Sequence, residues 1–322
     1  MAPLLRRIAV PPTIDPANLA GFDPHAPVAS LSGRTMGTQW HARLAIPAGA
    51  PPQAQLHARI QARLDGMERA LSHWDGQSLL MRFNHARPGT WCRLAPDLAT
   101  VLAQALSVAR ASAGAFDPTI GRLTDAWSLG PNRHAFPPDA AALARARAAS
   151  GWQRVILQQG WLRQPGGLWL DLSGVAKGHA ADAVADLLAQ AGLNHALVEV
   201  GGECAGRGLR PDGDPWWVDV ESPPGLALPP LRVALHQLSM ATSGRYLGGH
   251  TIDPATGEPC AGSLAATVIH ARGGLADAWA SALLVRSPAD AQAMAAHHGL
   301  AARLIDENGA EWLSPALTAM LE

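Results

Sequence analysis

Polar and apolar residues alternate across TQWHARLAI (38–46), which predicts a strand, and apolar residues recur at helical spacing across QAQLHARIQARLDGMERAL (53–71), which predicts a helix. PDLATVLAQALSVARAS (96–112), opened by Pro and Asp, predicts a second amphipathic helix, and PDAAALARARAA (138–149) a third. From residue 152 the pattern changes. WQRVILQQ, GWLRQ and GLWLDL are short, β-rich and separated by Gly, as consecutive antiparallel strands are. A helix is expected at 175–191 and a strand at ALVEV (196–200). WWVDV, LRVALHQLSM and LAATVIHA each read as one further strand, followed by helices at 275–286 and 288–298 and a final pair, AARLID and EWLS. Strands and helices mix without a strict βαβ alternation, so the expected class is α+β, with antiparallel or mixed sheets packed against helices. No internal repeat is evident. Residues 1–29 are Pro-rich and aperiodic and read as an arm on the surface or partly disordered. With no Gly/Ser linker beyond them, residues 30–322 are expected to form one domain.

Composition narrows the function. Hydrophobic residues make up 48% of the 322, charged residues 16%, and the formal net charge is −1, which argues against a disordered chain and against a nucleic-acid partner. No run approaches the ~18 apolar residues of a membrane span. The first twenty residues lack the apolar core of a signal peptide, and no early cysteine is present to carry a lipid. The expected location is the cytoplasm. Three widely spaced cysteines (Cys92, Cys204, Cys260) fit free thiols better than disulfides or zinc. His297 and His298 sit in an Ala-rich helical stretch and read as surface residues. Among 25 basic residues only one, Lys177, is lysine, and Tyr246 is the only tyrosine. Arg and Lys are nearly interchangeable on a solvated surface but not at a phosphate or titrating site.

Three segments carry candidate chemistry. DLSGVAKGHAAD (171–182) passes through a small-residue turn into a helix, where backbone N–H groups and the dipole favour an anion and Lys177 adds a compact charge. It lacks the Walker A pattern. On spacing alone, a helix start decorated by a lysine fits equally well. In GGLADAWASALLV (273–285), Asp277 and Ser281 stand four apart near a helix start and share one face. They form a carboxylate and hydroxyl pair that suits a hard divalent cation, although an Asp there is also commonplace for dipole reasons. ATSGRYLGGHTIDPATGEP (241–259) is rich in turn residues and holds His250 three residues before Asp253, a candidate general base near neutral pH. GRTMGTQW (33–40) and GAFDPTIGRLTDAWSLG (114–130) read as loops. The glycine pair of EVGGE (199–203), just after a strand, suggests a close backbone approach.

Taken in order, MGT (36–38), AFDPTIG with Trp127, DLSGVAKGHAAD, EVGGE, TSGRY, HTIDPATGEP and ADAWASAL resemble the motifs of the FAD:protein FMN transferase (ApbE, flavin transferase) family. The resemblance covers about residues 30–315 and rests on the colinearity of motifs that are individually weak. It implies an ApbE-like, T-fold-like single domain. It also implies an enzyme that splits FAD at its pyrophosphate with Mg²⁺, attaches FMN to a Thr or Ser hydroxyl of a target protein and releases AMP. By the same resemblance, Asp277 and Ser281 are side-chain metal ligands, with the Gly174 carbonyl a further candidate. Met36, Trp74, Ala115, Phe116, Asp117, Asp171 and Lys177 fall where the family contacts FAD, and His250 is both an FAD neighbour and the base for the incoming hydroxyl.

The chain departs from the pattern in several places. Ser281 replaces the usual Thr and keeps the hydroxyl. His179 stands where the family has an aromatic neighbour of the phosphate site, and Glu203 keeps a carboxylate where the family has GGD. Two alternatives use the same motifs: an FAD pyrophosphatase, with water in place of the target hydroxyl, and a non-enzymatic FAD-binding protein.

Overall fold

The computed structural model describes residues 7–248 and 251–321. Eight strands form the central sheet: β1 (Val28–Thr35), β2 (Thr38–Ala45), β3 (Ala196–Val200), β4 (Glu203–Arg207), β5 (Leu238–Gly244), β6 (Ala265–His270), β7 (Ala301–Ile305) and β8 (Glu311–Leu313). Their order across the sheet is their order along the chain, and every neighbouring pair is antiparallel. This is the expected α+β class. The chain leaves the sheet between β2 and β3 to build helices α1 (Gln53–Leu71), α2 (Pro96–Ala111) and α3 (Ser173–Gln190), and again between β6 and β7 to build α4 (Gly273–Val285).

Strand periodicity explains the layers. Successive residues point to opposite faces, so Val198, Val200, Ala205, Ala241 and Val268 join one core with α1–α4, while Leu197, Cys204, Met240 and Ile269 join a second. That second core is closed by a three-stranded sheet of Arg7–Ala9, Leu231–Leu235 and Trp216–Asp219. A third small sheet pairs Trp161–Arg163 with Trp91–Arg93 and Ile156–Gln158. No helix among the described residues is long and apolar enough to cross a membrane.

Several expectations change. Part of the Pro-rich arm packs into the fold: Arg7–Ala9 pairs with Leu231–Val233, Ala9 is fully buried and Arg7 bridges Glu311 at 2.6 Å. Three residues are too few to display a period, and the partner strand lies more than two hundred residues away. GRTMGTQW is not a loop but the end of β1, a two-residue turn and the start of β2. LRVALHQLSM is two strands in two different sheets, divided at His236–Gln237, where Gln237 adopts φ +56° with no Gly, Asn or Pro to announce a turn. GLWLDL belongs to none of the three sheets. It makes one isolated bridge, Trp169 to Ile120, and Asn84 clamps Leu170 through both its N–H (2.8 Å) and its carbonyl (3.0 Å).

Candidate active site

Helices α3 and α4 pack face to face, and small residues let them approach closely. A Cβ on Gly178 would stand 2.1 Å from the Gly273 carbonyl oxygen, and one on Gly273 2.5 Å from the Gly178 oxygen. The approach brings Asp277, buried and one turn into α4, to the Gly178 N–H, which donates to its Oδ2 at 3.2 Å. Ser281, the next turn of the same face, lies 3.2 Å from the Ser243 hydroxyl of β5. Opposite it is Gly174, whose ψ of +21° departs from helical values and breaks the regular path of α3 there. A Cβ on Gly174 would sit 3.1 Å from Ser281 Oγ and 3.2 Å from Phe116 Cε2, filling the space between those groups.

Gly174, Ser243, Asp277 and Ser281 line one lobe of a cleft, the inner lobe, together with Ala115, Phe116, Asp117, Asp171 and Glu203. Met36, Glu68, His73 and Trp74 line the outer lobe, and Ser173 and Lys177 line both. The lobes measure about 190 and 310 Å³. Ligand pockets run roughly 300–1,000 Å³, so the inner lobe alone suits a small polar group and the pair suits a long, two-ended ligand.

Two hairpin turns edge the cleft. In the β1–β2 turn, Met36 holds φ +47° and Gly37 φ +72°, a geometry that Asn-Gly usually supplies. Its N–H donates to Glu68 Oε2 at 3.2 Å. A bulky residue kept in this strained region is a recognised mark of a functional position. In the β3–β4 turn, Gly201 has φ +58°, and a Cβ there would meet Thr38 Cγ2 at 2.8 Å and Lys177 Cδ at 3.3 Å. The close approach expected of EVGGE is therefore to Thr38 of β2 first and to the lysine stem next.

Lys177 Nζ donates to Glu203 Oε1 at 2.5 Å. Glu203 and Asp277 are both nearly fully buried. Burial pushes the Glu203 carboxyl up to about 8, with Asp277 adding to the rise and Lys177 opposing it. Burial likewise raises Asp277 against the pull of Lys177 and of the Gly178 N–H. For Lys177, burial disfavours the charge, but Glu203 and Asp277 outweigh it and raise its pKa. All three groups respond to one imbalance: among the described residues, two buried carboxylates share one ammonium.

The other expected FAD neighbours reach the cleft with their side chains committed in different degrees. Trp74 is 57% exposed and free to stack, with the His73 ring 5.0 Å away. Asp117 lines the lobe, but its carboxylate accepts from the Thr119 N–H and hydroxyl and from the Trp152 N–H, tying two loops together. Asp171 accepts from Ser173 N–H, Ser173 Oγ and Thr124 Oγ1. Burial alone would raise its pKa, and His73 with these donors outweighs burial and lowers it. His179 does not border the cleft. Two residues beyond Lys177 it faces another side of α3, where Nε2 lies 3.4 Å from Asp97 Oδ1. Tyr246 packs over Gly244 and borders neither lobe. His250 lies outside the described residues. Thr251, Ile252 and Pro254, which follow it, line the inner lobe, and that loop is anchored where Trp127 Nε1 donates to the Gly257 carbonyl at 2.8 Å.

Asp182, Ser173 and Ser243 were not singled out from the sequence for roles here. Among the described residues no three His, Cys, Asp or Glu side chains converge as a metal cluster. Asp277, Ser281 and Gly174, which line one lobe, carry a carboxylate, a hydroxyl and a backbone carbonyl, all hard oxygens.

Residues 36–304 match the model of the ApbE family. The chain belongs to the ApbE family. An FAD:protein FMN transferase of Klebsiella pneumoniae is 36% identical over 90% of this chain and 89% of its own length, and one of Escherichia coli K12 is 32% identical over 91% and 89%. Among solved structures, the flavin transferase ApbE of Vibrio cholerae superposes with a TM-score of 0.86 at 28% identity, covering 92% of this chain and 99% of that one. The apo flavinyl transferase ApbE of Pseudomonas stutzeri gives 0.85 at 29%, covering 92% and 98%. As an ApbE protein the chain is an enzyme, a flavin transferase, and its α+β architecture is that of its structural neighbours.

Proposed function

We propose that the protein transfers FMN from FAD to a Thr or Ser hydroxyl of a target protein, with Mg²⁺, and releases AMP. The observation that carries this reading is the inner lobe itself, where two buried carboxylates, Asp277 and Glu203, gather about Lys177 beside a set of hard oxygen donors. Asp277 Oδ, Ser281 Oγ and the Gly174 carbonyl are the residues that would hold Mg²⁺. This donor set fits the ion, which favours oxygen ligands and completes its shell with water and substrate phosphate. Bound there, Mg²⁺ supplies charge neutralisation of the pyrophosphate oxygens and of the departing phosphate.

The remaining steps belong to the protein and its substrates. The outer lobe takes one end of FAD against Trp74 and Met36, and Lys177, shared by both lobes, directs its ammonium to the pyrophosphate between them. Glu203 fixes that ammonium in place. The acceptor hydroxyl oxygen forms a new bond to the FMN phosphorus, and the bond from that phosphorus to the bridging oxygen breaks. The bridging oxygen leaves with AMP. His250 is the candidate base for the hydroxyl proton, a contribution of typically ~10²–10⁴ in rate. Holding acceptor and phosphorus in line supplies much of the remaining acceleration.

The test is incubation with FAD and Mg²⁺, with and without a candidate acceptor, followed by measurement of AMP and of acceptor mass. One AMP per acceptor that gains the mass of FMN supports the reading. AMP without acceptor modification identifies a pyrophosphatase, and absence of AMP in every condition identifies a binding protein.

A further inference from the structure

The reaction end of the α3–α4 pair has a counterpart at its other end. Lys177-Gly178-His179-Ala180-Ala181-Asp182-Ala183 on α3 aligns with Arg272-Gly273-Gly274-Leu275-Ala276-Asp277-Ala278 at the start of α4: a basic residue, Gly, two variable positions, then Ala-Asp-Ala. The helices meet antiparallel and exchange hydrogen bonds reciprocally. Asp277 Oδ2 accepts the Gly178 N–H at 3.2 Å, and Asp182 Oδ2 accepts the Gly273 N–H at 2.6 Å. The sheet beneath repeats the correspondence four residues along. At the reaction end Lys177 meets Glu203 of β4 and Ser281 meets Ser243 of β5. At the far end Asp182 Oδ1 accepts from Arg207 of β4 at 3.0 Å and from Ser239 of β5 at 2.8 Å. No repeat was visible along the chain because the shared pattern is seven residues long and is completed only by the crossing.

We propose that Asp182 is the positioning residue of the reaction site, setting the placement of α4 so that Asp277 and Ser281 face Gly174 and Lys177. The inference rests on reading Asp277 and Ser281 as the cation ligands. The first N–H groups of a helix have no partner within it, and the N-cap Arg272 offers no side-chain cap. Asp182, 1% exposed, takes the Gly273 N–H instead and places its charge at the α4 N-terminus, where the helix dipole favours it. Its other oxygen is fixed by two side chains of the sheet, so the carboxylate ties α3, α4, β4 and β5 at one point. Gly273 is one turn from Asp277 and two from Ser281 along a single rigid helix. A displacement at Gly273 therefore moves both ligands together.

Asp182→Asn keeps the side-chain volume but turns an amide NH₂ toward either the Gly273 N–H or the Arg207 and Ser239 donors. Mn²⁺ affinity, followed by electron paramagnetic resonance with saturating FAD and no acceptor, is the readout independent of turnover. The dissociation constant is expected to rise about tenfold or more, as loss of the groups that orient ligands typically causes. The rate constant for FMN transfer is expected to fall on the order of 10²-fold, while KM for FAD changes less than about threefold because Met36, Trp74 and Lys177 lie outside α4. A folded Asp182→Asn protein with parental Mn²⁺ affinity overturns the proposal. If that variant does not fold, Ser239→Ala, which removes one donor to Oδ1, must weaken Mn²⁺ binding by at least about threefold, scaled down from the same effect; unchanged affinity is then the overturning result. A parental protein whose Mn²⁺ site survives Asp277→Ala contradicts the ligand reading itself, which separates the two failures.

Discussion

The two ends of the α3–α4 crossing share a backbone plan and differ in charge. At the far end Asp182 is met by Arg207 at 3.0 Å and by Arg272 at 3.9 Å, and Arg272 also reaches Asp186 at 3.6 Å, so two carboxylates face two guanidinium groups. At the reaction end Asp277 and Glu203 face, among the described residues, Lys177. Burying a charge is costly unless it is paired. The far end meets that cost within the chain and acts as a strut. The reaction end holds two buried carboxylates, both with raised pKa, in a cavity lined by hydroxyl and carbonyl oxygens, so their second charge is met by a proton or by a cation that displaces it.

The largest effect that tests this contrast is expected from Asp277→Ala. It removes the carboxylate facing the cavity and should lower metal-dependent turnover by about 10³-fold, the scale of deleting a central electrostatic group, in a steady-state assay of AMP release. Lys177→Arg comes next. The Lys177 stem passes close to Gly201, and the planar, forked guanidinium cannot occupy the site of a compact ammonium. A loss of roughly ten- to a hundredfold in kcat/KM is expected, or about 1.4–2.7 kcal/mol of transition-state stabilisation; full activity would make the lone lysine incidental.

Gly178→Ala should damage both ends at once, because the added methyl meets the Gly273 carbonyl. Overpacking of this kind costs about 1–3 kcal/mol, measurable as a lower denaturant midpoint. Arg272→Gln should touch only the far end. Arg272 is nearly half exposed and its contacts are long, so a stability loss of no more than about 1 kcal/mol is expected from the same measurement.

The smallest effect belongs to a third face of α3. Arg63 first, then His179, holds the Asp97 carboxyl well below the usual carboxylate range. A depressed carboxyl contributes stability that is present above its unfolded pKa and lost as pH falls through the folded value. Asp97→Asn should therefore flatten the acid limb of the stability–pH curve below about pH 4, where an unperturbed Asp titrates. The change should amount to a few tenths of a kcal/mol, because the pair is partly exposed. Turnover at neutral pH should remain at the parental level, since this face does not border the cleft.

Much of this was legible in the residues, and the exceptions have physical causes. α1 and α2 follow from apolar spacing sustained over four turns or more, within a residue of the observed bounds. Asp277, Ser281, Lys177 and Gly174 were placed by colinear motifs, and the crossing of α3 and α4 brings all four to one lobe. β1 was missed because a Gly and a short turn resembled a loop, and the division of LRVALHQLSM because Gln237 carries no turn signature. His179 was misplaced because an aligned position fixes neither the face nor the partner of a side chain, and Asp97 comes from a distant helix. Asp182 was overlooked for the same reason. Its partners come from three other elements, and its correspondence with Asp277 exists only where the helices meet.

The central claim, that one end of the crossing is open to a cation and the other closed, is tested most directly by counting divalent sites. Mn²⁺ titrated into the protein with saturating FAD, followed by electron paramagnetic resonance, is predicted to fill one site that disappears in Asp277→Ala and persists in Arg272→Gln. A site that survives Asp277→Ala, or a second site of equal affinity that disappears when Asp186 is replaced, would contradict the account.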